Sequence, residues 1–154
     1  MLTIVTSKES QIRLSAKGRW SHQGQPFTNQ SIIRFLHQAI RKDDQGAYYL
    51  YNRFDSKEEW VYFEVEDTAY FVEDLRFDEQ DKQFTILLNT GICETLDLDS
   101  LCSDTRGVLY CRVAEQDRAR FTPYALEKLA EHAVMDENEI YIDKTGKKLI
   151  LHKL

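Results

Sequence analysis

The run Glu58 to Asp67, EEWVYFEVED, alternates its side chains in a way that suits an extended strand. Val61, Phe63 and Val65 share one face; Trp60, Tyr62, Glu64 and Glu66 share the other. Rings on the outward face are unusual for a purely solvated surface. Comparable β-forming runs recur along the chain: QIRLSA, AYYLYN, AYFVEDLRF, QFTILLNTG and GVLYCRV. The polar DEQDK joins two of them as a hairpin, and EIYIDKTGKKLILHKL reads as another around KTGK. ICETLDLDSL fits no single element.

Only two stretches carry a helical period. In the first, Thr28 or Asn29 caps a helix whose apolar face is Ile32, Ile33, Phe35, Leu36, Ala39 and Ile40. RKDDQG ends it, Gly46 supplying a left-handed residue, so Arg41 stands at the helix end. In the second, Thr122 caps and Pro123 takes the first helical position. Its buried face is expected to be Leu126, Leu129, Ala130, Ala133 and Val134. The fold expected is α+β, with antiparallel sheets and two helices.

A shift of 94 positions lays Phe27-Thr28 on Phe121-Thr122 and the first apolar face on the second. This suggests an internal duplication of a strand-turn-helix-hairpin motif, over 12–67 and 107–154, joined by a central hairpin, 68–106. With no Pro/Gly/Ser linker, both copies are expected within one folded unit, 1–154.

Composition narrows the function classes. A net charge of -6, with basic residues scattered among acids, argues against nucleic acid as a partner. No apolar run approaches the roughly 20 residues of a membrane helix, and MLTIVTSKES lacks the basic leader and apolar core of a signal peptide. A cytoplasmic location is expected. Cys93, Cys102 and Cys111 are odd in number and form no CxxC pair. His22, His37, His132 and His152 stand far apart, so no metal is expected. Nor is a cofactor, since no GxGxxG, GxxxxGK or GxSxG segment occurs.

Two places could hold a ligand. In GRWSHQGQPFTN, Gly24 and Pro26 turn the chain sharply just before the helix mouth, whose free N–H groups favour anions. Trp20 and His22 share a strand face there, with Asn29 at the mouth. The plainer account makes Trp20 core and Gly-Pro a turn. The second place is the hairpin, where Tyr49, Tyr51, Trp60 and Tyr62 line a groove if their strands pair, with Arg41 and Glu59 paired at its rim. Glu66 and Asp67 are adjacent and point to opposite faces, so they do not share one site without a bulge.

The residues Gly18 to Asp67 resemble a proteobacterial domain of unknown function. Its members carry G-x-W-x-x-x-G-x-P-I, a helix, D-x-x-G-x-Y-x-L, and a Glu-led strand ending in V-E-D. Here these read GRWSHQGQPF, DDQGAYYL, and Glu59 through Val65-Glu66-Asp67. Later, Ala119-Arg120-Phe121 and Tyr124 are similar to the family's A-R-L and early helical tyrosine. The family's His-Pro-Leu-Arg segment and Gly-Val-Trp-Ser ending have no counterpart. The resemblance implies an α+β fold of repeated motifs and a role in signalling or small-ligand sensing, with no established chemistry.

The leading expectation is a non-enzymatic module binding a small molecule or protein partner through Trp20, His22, Gly24, Asn29, Arg41, Tyr49, Glu59, Tyr62 and Asp67. The alternatives are a hydrolase or transferase using His22 with Glu59 or Asp67, and an assembly module forming a homodimer through an exposed aromatic face, which Trp60→Glu would test.

Overall fold

The structure, a computed structural model, describes residues 1–143 and 149–153. The chain divides into two compact units, Met1–Ala69 and Tyr70–Leu154. The expected joining hairpin, 68–106, falls almost wholly in the second. The KTGK turn lies outside the described residues.

The first unit runs β1 (Leu2–Val5), α1 (Ser7–Ser10), β2 (Ile12–Leu14), β3 (Trp20–His22), β4 (Gln25–Pro26), α2 (Gln30–Gln38), β5 (Ile40–Lys42), β6 (Tyr48–Phe54), β7 (Lys57–Tyr62) and β8 (Glu64–Val65). It builds two four-stranded sheets, in the orders β1-β7-β6-β5 and β4-β3-β2-β8. EEWVYFEVED is thus two strands: Phe63 breaks the run, and β8 leaves to pair in the second sheet. The core is small and rich in rings: Leu14, Trp20, Leu36, Ala39, Ile40, Tyr49, Leu50 and Phe63 are buried.

The second unit runs β9 (Tyr70–Asp78), β10 (Gln83–Leu88), β11 (Cys93–Thr95), β12 (Cys102–Ser103), β13 (Leu109–Val113), β14 (Asp117–Phe121), α3 (Pro123–Ala130), β15 (Ala133–Met135), β16 (Glu139–Ile142) and β17 (Leu149–Lys153). ICETLDLDSL resolves into β11 and a 3₁₀ turn at Leu98–Ser100. The six-stranded sheet β11-β10-β9-β14-β13-β12 carries a contiguous core including Val72, Leu75, Phe84, Ile86, Leu129 and Ile142. Thr122 docks α3 on this sheet, its N–H and Oγ1 both donating to Val72 O, at 3.1 and 2.9 Å.

The fold is α+β, as expected, but three details differ. The sheets are mixed: β1 runs parallel to β7, β2 to β8 and β14 to β9. Each parallel pair joins segments far apart in sequence, and local alternation carries no sign of that direction. Among the described residues there are three α-helices, because Thr6 caps a one-turn helix too short to show a period, accepting from Glu9 N–H. Both longer helices stop early, at Gln38 and Ala130, and Ile40 and Val134 belong to strands. The period of three and four runs on by coincidence into the next strand. Within α2 only Leu36 is buried, with Ile32 and Phe35 about half exposed; within α3 the buried pair is Ala125 and Leu129, while Leu126 is exposed.

In both units a helix is followed by a three-stranded antiparallel meander, β5-β6-β7 and β15-β16-β17. Asn29 and Thr122 are the caps, so the two helices align one position away from the 94-residue shift.

Candidate functional site

The chain between β2 and α2 is built by two tight turns. The first returns β2 to β3, with Gly18 at φ 78 and its N–H on Ser15 O at 3.0 Å. The second places Gln23 and Gly24 between paired His22 and Gln25, at φ 51 and 79. Positive φ at both central residues is the twist a two-residue hairpin demands. A Cβ on Gly24 would meet nothing within 4 Å, so the backbone angle is what calls for glycine there. Pro26 sits on the edge strand β4, where a missing N–H breaks no inner ladder.

Trp20 is 2% exposed. Its Nε1–H donates to His37 Nδ1 at 3.2 Å, and its ring lies 4.9 Å from that of Phe63. Burial lowers the His37 pKa to about 4, so its imidazole is neutral at pH 7 and Nδ1 is free to accept. Asn29 Oδ1 accepts from the N–H groups of Ser31 and Ile32, at 2.9 and 3.1 Å. The helix mouth thus spends two of its donors on its own cap.

The β6–β7 register brings the expected rings onto one face, with Tyr49 opposite Tyr62 and Tyr51 opposite Trp60. Tyr49 and Trp60 stack at 4.3 Å. Tyr62 Oη donates to Asp43 Oδ2 at 2.9 Å, and Tyr51 Oη to Glu58 Oε1 at 2.6 Å. Those bonds raise both phenol pKa values. The Asp43 carboxyl, which accepts from Ala47 N–H and Tyr62, is held below the usual range. Trp60 Nε1 is buried without a hydrogen-bond partner among the described residues. This ring is stacked and partly buried.

Arg41 lies on β5 rather than at a helix end. It donates to Gln38 O and Ile40 O at 3.0 and 2.8 Å, and its guanidinium stands 5.8 Å from the Tyr51 ring. The expected rim pair with Glu59 does not form. Glu59 pairs across to Asn52 and Thr3 and, next to Trp60 along β7, points to the opposite sheet face. His22 is exposed, its ring 6.4 Å from Phe27. It makes no hydrogen bond to Glu59 or Asp67, which lies half-buried just beyond β8.

The two expected halves of the site lie apart. Trp20 packs on Phe63, and Phe63 on Tyr48 at 6.3 Å. Tyr48 and Tyr49 are successive on β6 and point to opposite faces. The Trp20 cluster and the Tyr49 stack therefore do not converge.

A groove of about 430 Å³ lies beside the two turns. Trp20 and Gly24 line it with Ala16, Lys17, Arg19 and Glu66. Glu66 Oε2 accepts from Ala16 N–H at 2.6 Å, and Oε1 stands 3.3 Å from Arg13. Lys17 and Arg19 form no ion pair among the described residues, so the cations outnumber the free acids. Sequence reading missed both, together with His37. Their signal was present: SAKGR is a glycine turn with flanking cations between two strands. In the second unit, Cys111 is buried and its thiol pushed up to about 12, chiefly by desolvation, while Cys93 and Cys102 are exposed and free. Among the described residues no group of three or more His, Cys, Asp or Glu is placed to hold a metal ion, and no helix is long and apolar enough to cross a membrane.

No protein-family profile and no curated protein matches the chain. Among solved structures, a DUF1285 family protein from Silicibacter pomeroyi DSS-3 aligns with TM-score 0.65 at 14% identity, covering 100% of this chain and 84% of the other. A DUF1285 family protein from Shewanella baltica OS155 aligns with TM-score 0.57 at 13% identity, covering 81% of this chain and 94% of the other. At such identities the likeness is one of fold. Both neighbours are DUF1285 family proteins, which agrees with the resemblance to a proteobacterial domain of unknown function carried by Gly18 to Asp67.

Proposed function

We propose that the first unit binds a small anionic molecule, one bearing a carboxylate or phosphate, in the groove beside the β2–β3 and β3–β4 turns. The observation that supports this reading most is the pairing of a volume of about 430 Å³ with two unpaired cations, Lys17 and Arg19. Pockets of a few hundred cubic ångströms suit metabolites, and a few convergent polar groups supply their specificity. Glu66 does not oppose an anion strongly, because Arg13 and the Ala16 N–H already compensate its charge. Trp20 forms a rigid floor, held by His37 and Phe63. The role is one of sensing, as the sequence resemblance implies, and three free thiols fit a reducing, cytoplasmic setting. The helix-and-meander order shared by both units supports an internal duplication, with this groove in the first copy.

Thermal-shift titration with a panel of small carboxylates and phosphates tests the reading. At least one class should raise the unfolding midpoint. Lys17→Glu with Arg19→Glu should weaken it by about tenfold or more, with the midpoint of the free protein unchanged, because both side chains are exposed. Equal binding by the charge-reversed protein, or no response across the panel, sinks it.

A further inference from the structure

Sheets protect their open edges with charges, prolines or brevity, because an unpaired strand is a template for another. Three of the four edges in the first unit follow this rule. β5 carries Arg41 and Lys42, β4 carries Pro26, and β8 is two residues long with Glu64. β1 does not. Leu2-Thr3-Ile4-Val5 has no charge and no proline, and Leu2 and Ile4 are 44% and 53% exposed.

The open side of β1 has a definite hydrogen-bond pattern. Glu58 N–H donates to Met1 O at 2.9 Å, and Leu2 stands opposite Glu58 in the parallel ladder. The backbone groups of odd-numbered residues therefore aim at β7, and the N–H and C=O of Leu2 and Ile4 aim away from it. No strand lies on that side among the described residues.

We infer that β1 is the contact through which two copies of this chain pair, antiparallel and edge to edge, about a two-fold axis at Thr3. Backbone direction and side-chain face both alternate with period two, so one choice of register serves the ladder and the axis together. Centring it on Thr3 engages both Leu2 and Ile4. An antiparallel ladder needs residues whose backbone groups both face outward to stand opposite each other, which sets Leu2 against Ile4 of the second copy. A two-fold axis perpendicular to the sheet needs opposed side chains on the same face, and Leu2 and Ile4 share one. Apolar then meets apolar twice, and threonine meets threonine at the centre. Like pairs of this kind stabilise a sheet. Pairing adds four main-chain hydrogen bonds without disturbing β7. A second copy supplies an edge that is itself uncharged and apolar at both outward positions, so exposed Leu2 and Ile4 are covered by the same pair of residues. The contact is small beside a standard interface, so the dimer is expected to be weak and concentration-dependent.

Sedimentation of the full chain over a concentration series up to about 1 mM, the weak end of useful affinities, tests the pairing. The unaltered protein should dimerise. Thr3→Lys, which opposes two like charges on the axis, and Ile4→Pro, which deletes an outward N–H, should each weaken dimerisation by about tenfold or more. Cross-linking reads the register independently of those variants. With Cys93→Ser and Cys102→Ser in place, Thr3→Cys should form a covalent dimer under oxidised glutathione, because directly opposed non-bonded pairs stand about 4.5 Å apart at Cα. Leu2→Cys, opposite Ile4, should form far less. Monomer throughout the series, unchanged dimerisation in Thr3→Lys, or faster cross-linking from position 2 than from position 3 would overturn the inference.

Discussion

The two units solve the same packing problem with different materials. The second buries one contiguous cluster, mostly aliphatic, under a six-stranded sheet, with Val72, Ile86 and Leu129 at or below 1% exposure. The first has two narrow sheets and holds them with rings in specific geometry: Trp20 against Phe63 and bonded to His37, and Tyr49 stacked on Trp60. Aliphatic burial is non-directional and scales with area. A core of rings with polar tips depends instead on each donor finding its acceptor. Stability in the second unit should therefore respond to volume, and in the first to hydrogen-bond complementarity and to pH.

The largest effect is expected from Leu129→Ala, which opens a cavity in the aliphatic cluster and should cost about 3 kcal/mol in urea unfolding. A smaller cost than that of Trp20→Phe would break the contrast between the units.

Trp20→Phe keeps a large ring but leaves His37 Nδ1 without this donor, and should cost about 2 kcal/mol. The pH dependence sharpens the point. His37 titrates near 4 in the folded protein and near its ordinary 6.5 when unfolded, so the unfolded chain takes up the proton first as pH falls. Stability is present in full above about 6.5 and declines as the pH drops through the window down to about 4. His37→Gln keeps an acceptor without a titrating group and should flatten that slope in unfolding measured at pH 7 and 5. An equally steep slope in the variant would place the acid sensitivity elsewhere.

The smallest effect should be common to both units. Asn29→Ala and Thr122→Ala each remove a helix cap, at about 1 kcal/mol by thermal or urea unfolding. A clearly larger loss from Thr122→Ala would mean that its bond to Val72 O matters more than its capping role.

Strands and caps were legible in the sequence because both are local. Alternation in residues 58–66 marked the ring-bearing face, and β6–β7 pairing brings Tyr49, Tyr51, Trp60 and Tyr62 together. Thr122-Pro123 marked the start of α3. What failed was whatever depends on distant partners. Nothing in residues 2–5 announces a parallel partner at residues 58–61. Apolar spacing could not show where α2 gives way to β5, because Ala39 and Ile40 continue the helical period while facing the core from a turn and a strand. The site divided for the same reason. Trp20 and Tyr49 reach opposite faces of one sheet, and only the Trp20–Phe63–Tyr48 chain of rings reveals it.

The parallel pairs also set an order of events during synthesis. In the first unit β1 and β2 are translated early, yet their parallel neighbours, β7 and β8, come last in that unit. In the second, β9 waits likewise for β14. Neither sheet system can close while its chain is partly made, so the apolar tetrapeptide Leu2–Val5 stays uncovered on the growing chain until residues 57–62 follow. A ribosome pausing before that point would hold an aggregation-prone fragment, and chaperone demand should be concentrated there.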